Sequence, residues 1–133
     1  MIYNKHKSKY NNIKVNINGV IYDSRKEARR HQELMLLERA GEIKHLSRQV
    51  RFVVIPSQYE SYERYGKKGK RLKDGQRLLE KECVYVADFQ YQDTRTGKLI
   101  VEDVKSEATK KKESYIIKRK LMLLTHGIKI LET

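Results

Sequence analysis

The chain has no tryptophan, one proline, one cysteine and two phenylalanines in 133 residues. A single cysteine, Cys83, excludes an intramolecular disulfide and any zinc site built on several cysteines, so a reducing compartment is expected; on its own Cys83 reads as a small core residue. No stretch approaches the ~18 apolar residues of a membrane-spanning helix, and the lysine-rich start is followed by no apolar signal core. The expectation is a soluble, cytoplasmic protein with no membrane partner. Acids are scarce as well: 17 Asp and Glu stand against 30 Lys and Arg, a formal charge of +13. That balance excludes an acidic solvating protein and points to a polyanionic partner, nucleic acid before membrane. Apolar residues make up 38% of the chain, enough for one modest core, so residues 1–133 are read as a single domain.

Residues 1–12 are polar and basic without period and read as an N-terminal arm. Ile13 to Ile17 alternates apolar and polar, Asn18-Gly19 supplies a two-residue turn, and Val20 to Tyr22 completes a β-hairpin. Asp23 or Ser24 opens the strongest helix, Arg25 to Ala40, with Ala28 and Leu34 to Leu37 as its apolar side and Gly41 just past its end. The β-branched run Arg48 to Ile55 predicts a strand that Pro56 stops. Residues 57–78 mix turn-formers with Tyr, Lys and Arg, and read either as a basic hairpin extension or as a loop. Further strands are expected over Leu79 to Tyr91 and Lys98 to Lys105, joined by a turn at Asp93 to Gly97. Thr109 is placed as the cap of a second helix, Lys110 to Thr125, with Ile117, Leu121 and Leu124 on its apolar stripe. Gly127 ends that helix and Ile128 to Leu131 forms a last strand. Beyond the arm and the first hairpin, the order is helix, three strands, helix, strand: an α/β fold with a mixed sheet flanked by two helices.

The turn after Asp93 sets a register. A four-residue loop, Thr94 to Gly97, pairs Asp93 with Lys98 and places Asp88 directly opposite Asp103, their β-carbons about 4.5–5.5 Å apart. Lys105, two residues on, points the same way. A register one residue shorter sets Asp88 against Glu102 instead; the spacing to Lys105 favours the first. Like charges facing each other destabilise a sheet, and a divalent cation between them removes that penalty. Mg²⁺ or Mn²⁺ suits carboxylate oxygens, activates water and, with the Lys105 ammonium, offsets charge on a phosphoryl transition state. The plain alternative is a hairpin with solvated charges on its outer face.

Asp88 preceded by Val84-Tyr85-Val86-Ala87, then Ile100-Val101-Glu102-Asp103-Val104-Lys105 after a spacing of fifteen, resembles the PD-(D/E)XK nuclease signature. Ala87 stands where that name has proline, and Glu102 beside Asp103 leaves the second acidic ligand open between them. The element order is similar to that superfamily's restriction-endonuclease-like core, over about residues 20 to 131. More narrowly, YDSRKEA, LSRQVRFVV, VEDVKS and IIKRKLMLLTHGIKI resemble a family of small phage-encoded nucleases, themselves similar to Holliday-junction resolvases and the transposase endonuclease subunit TnsA. The resemblance implies a metal-dependent endodeoxyribonuclease that hydrolyses phosphodiester bonds, on branched or recombining phage DNA in the bacterial host's cytoplasm, with a homodimer as one expected assembly. Asp88 and Asp103 are then metal ligands and Lys105 is catalytic.

The resemblance also implies a further catalytic acid and metal ligand on the first helix, at Glu27, whose alternative is the cap in Ser24-Arg25-Lys26-Glu27, an S-x-x-E capping box. Gln49 opens its strand beside the site, either to hold a water or phosphate or as a strand-end polar residue. Lys118, by resemblance, reaches the scissile phosphate; by pattern it belongs to a solvated face with Arg119 and Lys120. Arg64, Lys67, Lys68, Lys70 and Arg71, and Lys110, Lys111 and Lys112, are expected to grip phosphates. Tyr59, Tyr62 and Tyr65 are placed either to stack on unpaired bases or as incidental members of a solvated loop. The rival function is a non-catalytic nucleic-acid-binding protein with the same basic surface; a third is a protein that binds an acidic host partner.

Overall fold

The structure, a computed structural model, describes Lys5–Lys7 and residues 13–133. Apart from that tripeptide, the expected arm over 1–12 lies outside the described residues. Strand β1 (Lys5–Lys7) pairs antiparallel with β2 (Ile13–Ile17), which turns back into β3 (Val20–Tyr22). Both turn residues take left-handed backbone, Asn18 at φ 52° and Gly19 at φ 82°, and Asn16 Oδ1 accepts the Gly19 N–H at 3.0 Å. This is the geometry that lets a two-residue turn follow the twist of its strands. Val15, Ile17 and Tyr22 bury themselves against Ala28 of helix α1 (Arg25–Arg39).

The main sheet has the order β4–β7–β8–β9, built from β4 (Ile43–Ile55), β7 (Cys83–Asp93), β8 (Leu99–Asp103) and β9 (Leu131–Glu132). The first two pairings are antiparallel and β8 pairs parallel with β9, so the sheet is mixed. Between β8 and β9 lie α2 (Glu107–Lys110) and α3 (Glu113–His126). Tyr115 and Met122 of α3 pack with Val54, Tyr85, Ala87, Val101 and Ile130. On the other face, Leu34 of α1 packs with Ile43, Phe89 and Tyr91. The fold is thus α/β, a mixed four-stranded sheet with α1 and α3 on opposite faces.

Several boundaries differ from the sequence reading. The expected extension over 57–78 is a hairpin: β5 (Gln58–Tyr65) and β6 (Arg71–Glu80) pair, among the described residues, only with each other, so β7 starts at Cys83 rather than Leu79. β4 begins at Ile43, five residues earlier than expected. A bulge between Lys44 and Ser47, with His45 at φ 58°, breaks the alternation that would have announced it. Thr109 does not cap the second helix. Ser106 Oγ accepts the Thr109 N–H at 3.2 Å and caps α2, while α3 starts at Glu113 and ends on Gly127 at φ 67°. The stripe on α3 is also different: Leu121 packs at the core's edge, but Ile117 and Leu124 are 48% and 82% exposed. Helix α3 carries two apolar rows, and the sheet covers the one through Tyr115 and Met122. On α1, Met35 and Leu36 stay exposed because four consecutive apolar residues span more arc than one sheet face can cover.

Candidate active site

The β7–β8 hairpin adopts the register that its turn chemistry predicts. Asp93 N–H donates to the Lys98 carbonyl at 2.9 Å, Gly97 takes φ 71°, and Asp93 Oδ1 accepts from Arg95 and Thr96 at 2.8 and 3.2 Å. The ladder Gln92↔Leu99, Tyr91↔Ile100, Gln90↔Val101, Phe89↔Glu102 brings Asp88 level with Asp103 at its next step. There the strands part. Asp88 Oδ2 accepts the Val104 N–H at 2.8 Å, so a carboxylate takes over where the backbone ladder stops. Three consecutive residues, Ala87, Asp88 and Phe89, are buried, the first in the α3-side cluster and the last in the α1-side cluster.

Asp103 is wholly buried, and the Tyr85 hydroxyl donates to its Oδ2. The Lys105 ammonium lies 2.9 Å from Asp103 Oδ1 but off the line of a hydrogen bond, so Oδ1 has a charge beside it and no aligned donor. The same ammonium sits 5.6 Å over the Tyr115 ring. Burial first, and the Asp103 carboxyl second, push Asp88 up to about 8. Burial pulls the Lys105 ammonium down, but the carboxylates of Asp103, Asp88 and Glu27 outweigh it and leave it above its usual value.

Glu27 joins from α1. Ser24 caps the helix, its Oγ accepting the Glu27 N–H at 3.1 Å. The reciprocal half of the box differs from the expected form: Glu27 Oε2 reaches back to the Asp23 N–H at 3.0 Å rather than to that of Ser24. Its other oxygen turns inward, accepting from Gln49 Nε2 at 3.1 Å with an Arg48 guanidinium nitrogen 3.6 Å away. Cap and site are therefore compatible roles for the two oxygens of one carboxyl. Gln49 Nε2 also lies 3.5 Å from Asp88 Oδ1, bridging the acid of α1 to the acid of β7. Burial and the neighbouring Asp88 push Glu27 up to about 7.

Glu102 is the main correction. It points to the opposite face of the sheet, where Arg30 grips it with Nε at 2.5 Å and a second nitrogen at 3.2 Å, and Tyr91 and Thr133 hydroxyls donate at 2.7 and 3.0 Å. Alternation along β8 gives Asp103 to the site and Glu102 to a structural ion pair. Lys118 is half-buried on α3 and makes no described contact with the carboxylates. Lys110 pairs with Glu107 at 3.2 Å, and Lys111 and Lys112 are exposed where α2 meets α3. Arg64, Lys67, Lys68, Lys70 and Arg71 are all exposed at the far end of the β5–β6 hairpin.

Sequence reasoning missed Tyr85, Arg48 and Lys26, whose ammonium lies 3.4 Å from the Lys105 carbonyl. Tyr85 precedes Asp88 by three and by simple alternation belongs to the other face. Gln49 itself takes φ 50°, an excursion in mid-strand that brings it and Arg48 to the same carboxylate. Neither departure from regular alternation has a signal in the sequence.

Among the described residues no three carboxylate, imidazole or thiol groups converge as a ready-made cage. The donor set still fits a hard divalent cation, which needs one or two carboxylates and completes its shell with waters and substrate phosphate. Asp103 Oδ1 is a buried oxygen with only the Lys105 ammonium beside it, and burial together with the Asp103 carboxyl pushes Asp88 up to about 8 despite that ammonium. Both are what a cation would relieve.

No helix among the described residues is long and apolar enough to cross a membrane. No curated protein and no solved structure matches the chain. A family model does match, over residues 7–127, and it is described as "Protein of unknown function (DUF1064)". With nearly its whole length covered, the chain belongs to the DUF1064 family.

Proposed function

We propose that this protein is a metal-dependent endodeoxyribonuclease with a restriction-endonuclease-like core, hydrolysing DNA phosphodiester bonds at the Asp88–Asp103–Lys105 cluster. The observation that carries the reading is the pairing of two buried carboxylates from adjacent strands, with an ammonium 2.9 Å from one of them, in a chain of charge +13. A purely structural pair of acids gains nothing from facing each other in a low-dielectric interior. A cation and a phosphodiester together give the pair a purpose.

Asp88 and Asp103 would hold Mg²⁺ or Mn²⁺, with Glu27 at the edge of the site. Bound there, the ion supplies activation of water and neutralisation of phosphate charge. Lys105 sits beside Asp103, where its ammonium offsets charge building on the non-bridging phosphate oxygens and orients an attacking water. Glu27, pushed up to about 7, is poised to exchange a proton near neutrality. Gln49 keeps the Glu27 and Asp88 carboxyls in mutual register by touching both. Tyr85 occupies one oxygen of Asp103 and so fixes which oxygen faces Lys105.

The test is nicking of supercoiled DNA by the whole chain with Mg²⁺ or Mn²⁺ and with a chelator. Cleavage that needs the ion and disappears in D103N, with DNA affinity intact or raised, is the expected result. DNA binding with no cutting in either ion would overturn the hydrolytic reading and leave a non-catalytic binder.

A further inference from the structure

Among the described residues, the β5–β6 hairpin has no part in any of the three core clusters. Among the described residues its ladder joins only its own two strands, and its side-chain bonds stay within it: Tyr65 to Glu63, Gln76 to Ser61, Arg77 to Glu60, Arg71 to Asp74. An isolated two-stranded ribbon is marginal in water, so an element this long with exposed residues on both faces needs a use outside the core. Its charges are segregated. Three of its acids, Glu60, Glu63 and Asp74, are engaged by Arg77 and Arg71. Residues 64–73 hold six Lys and Arg and no acid. Of these, Arg64, Lys67, Lys68, Lys70 and Lys73 are exposed and make no ion pair with any described residue.

The tyrosines narrow the partner. Tyr62 lies across Gly75, where an added Cβ would meet its ring at 2.3 Å, and Arg77 stands 5.0 Å from the ring centroid. Tyr65 has Arg71 at 5.8 Å and its hydroxyl tied to Glu63 at 2.6 Å. Tyr62 has one ring face covered by its own ribbon, which disfavours base stacking there, while Tyr59 and Tyr65 stay exposed. Cations on a narrow ribbon suit a different target. Its strands lie roughly 5 Å apart and β5, at 8 residues, extends about 27 Å. The major groove of B-form DNA, about 12 Å wide, admits a two-stranded ribbon, whereas the deep, narrow major groove of an RNA duplex does not.

We infer that the β5–β6 hairpin is a duplex-DNA arm that lies in the major groove and grips phosphates through the cations of residues 64–73. It supplies affinity without sequence choice, because phosphate contacts position a protein and base edges specify it. The inference rests on the DNA-binding half of the proposed function and not on hydrolysis.

The test is binding by the whole chain, with chelator present, to a 20-base-pair DNA duplex, the same sequence as a single strand, and the corresponding RNA duplex. K67A, K68A and K70A are combined in one variant; all three side chains are exposed, so the fold is not at stake. On the DNA duplex the slope of log affinity against log salt should become shallower by about 2.7, roughly 0.9 per lost phosphate contact. Binding to the single strand and to the RNA duplex should change less than twofold, and a dye that fills the major groove should displace the wild type. An unchanged slope on duplex DNA overturns the inference, as does an equal loss on the single strand. Because no divalent ion is present, nicking does not enter this result. A wild type that binds through the arm and never cuts would sink the hydrolytic reading alone.

Discussion

Glu102 and Asp103 are neighbours on one strand, both fully buried, and they differ in nearly everything else. Glu102 faces α1, where a guanidinium and two hydroxyls satisfy both of its oxygens. Asp103 faces a second carboxyl across the sheet, with one oxygen bonded by Tyr85 and the other left with an unaligned ammonium. A satisfied buried acid is part of the frame. Asp103, packed against its like, has only an ammonium beside its second oxygen, an arrangement that favours positive charge at the pair. The pair also shows how the frame serves the site: Arg30 lies one turn after Glu27 on α1, and its grip on Glu102 ties that helix to the strand carrying Asp103.

The two neighbours should therefore fail in opposite ways. D103N should lower the rate of metal-dependent nicking by at least about 10²-fold and cost less stability than E102A, because the side-chain amide keeps an oxygen for the Tyr85 hydroxyl although Lys105 loses its carboxylate. E102A should do the reverse. It leaves Arg30 without its carboxylate and should cost about 3 kcal/mol of stability in denaturant unfolding, near the low end for a broken buried pair because Arg30 is partly exposed. Equal stability losses in the two variants would erase the distinction between frame and site.

Proton uptake sharpens it further. Asp88 and Glu27 are pushed up to about 8 and about 7, so the native state keeps protons that the unfolded chain gives up near pH 4. That contribution is fully present below the unfolded values and is lost as pH rises through about 7 to 8. With a chelator, the melting temperature should fall between pH 5 and 8.5. Saturating Mg²⁺ should flatten the fall, and D88N should shrink it. A melting temperature that rises over that interval in the chelated wild type would contradict the raised values. The smallest effect is expected at the cap. S24A should cost about 1 kcal/mol, with nicking per folded molecule preserved because Glu27 keeps its bonds to Asp23 and Gln49.

Much of the site was legible because turn chemistry propagates. Asn18-Gly19 and Asp93 to Gly97 have few conformational options, and the second of them sets which residues oppose each other along β7 and β8. Ser24 three residues before Glu27 announced a helix start, and the structure adds that Glu27 serves the cap and the site with different oxygens. The hairpin over 57–78 stayed ambiguous because exposed strands bury no face and so show no apolar alternation. The start of β4 was hidden by a bulge, and the covered row of α3 could not be chosen between two apolar rows without the sheet in place.

Local sequence determined the elements held by short-range rules: caps, tight turns, the strand order along the chain, and the basic charge that any partner must meet. Only the tertiary structure decided that Arg30 holds Glu102 on the other face, that Tyr85 and Arg48 attend the site, and which apolar row of α3 is buried. Those outcomes depend on which surface lies opposite. A strand's side-chain period is two, so one left-handed residue or one bulge reverses every face beyond it.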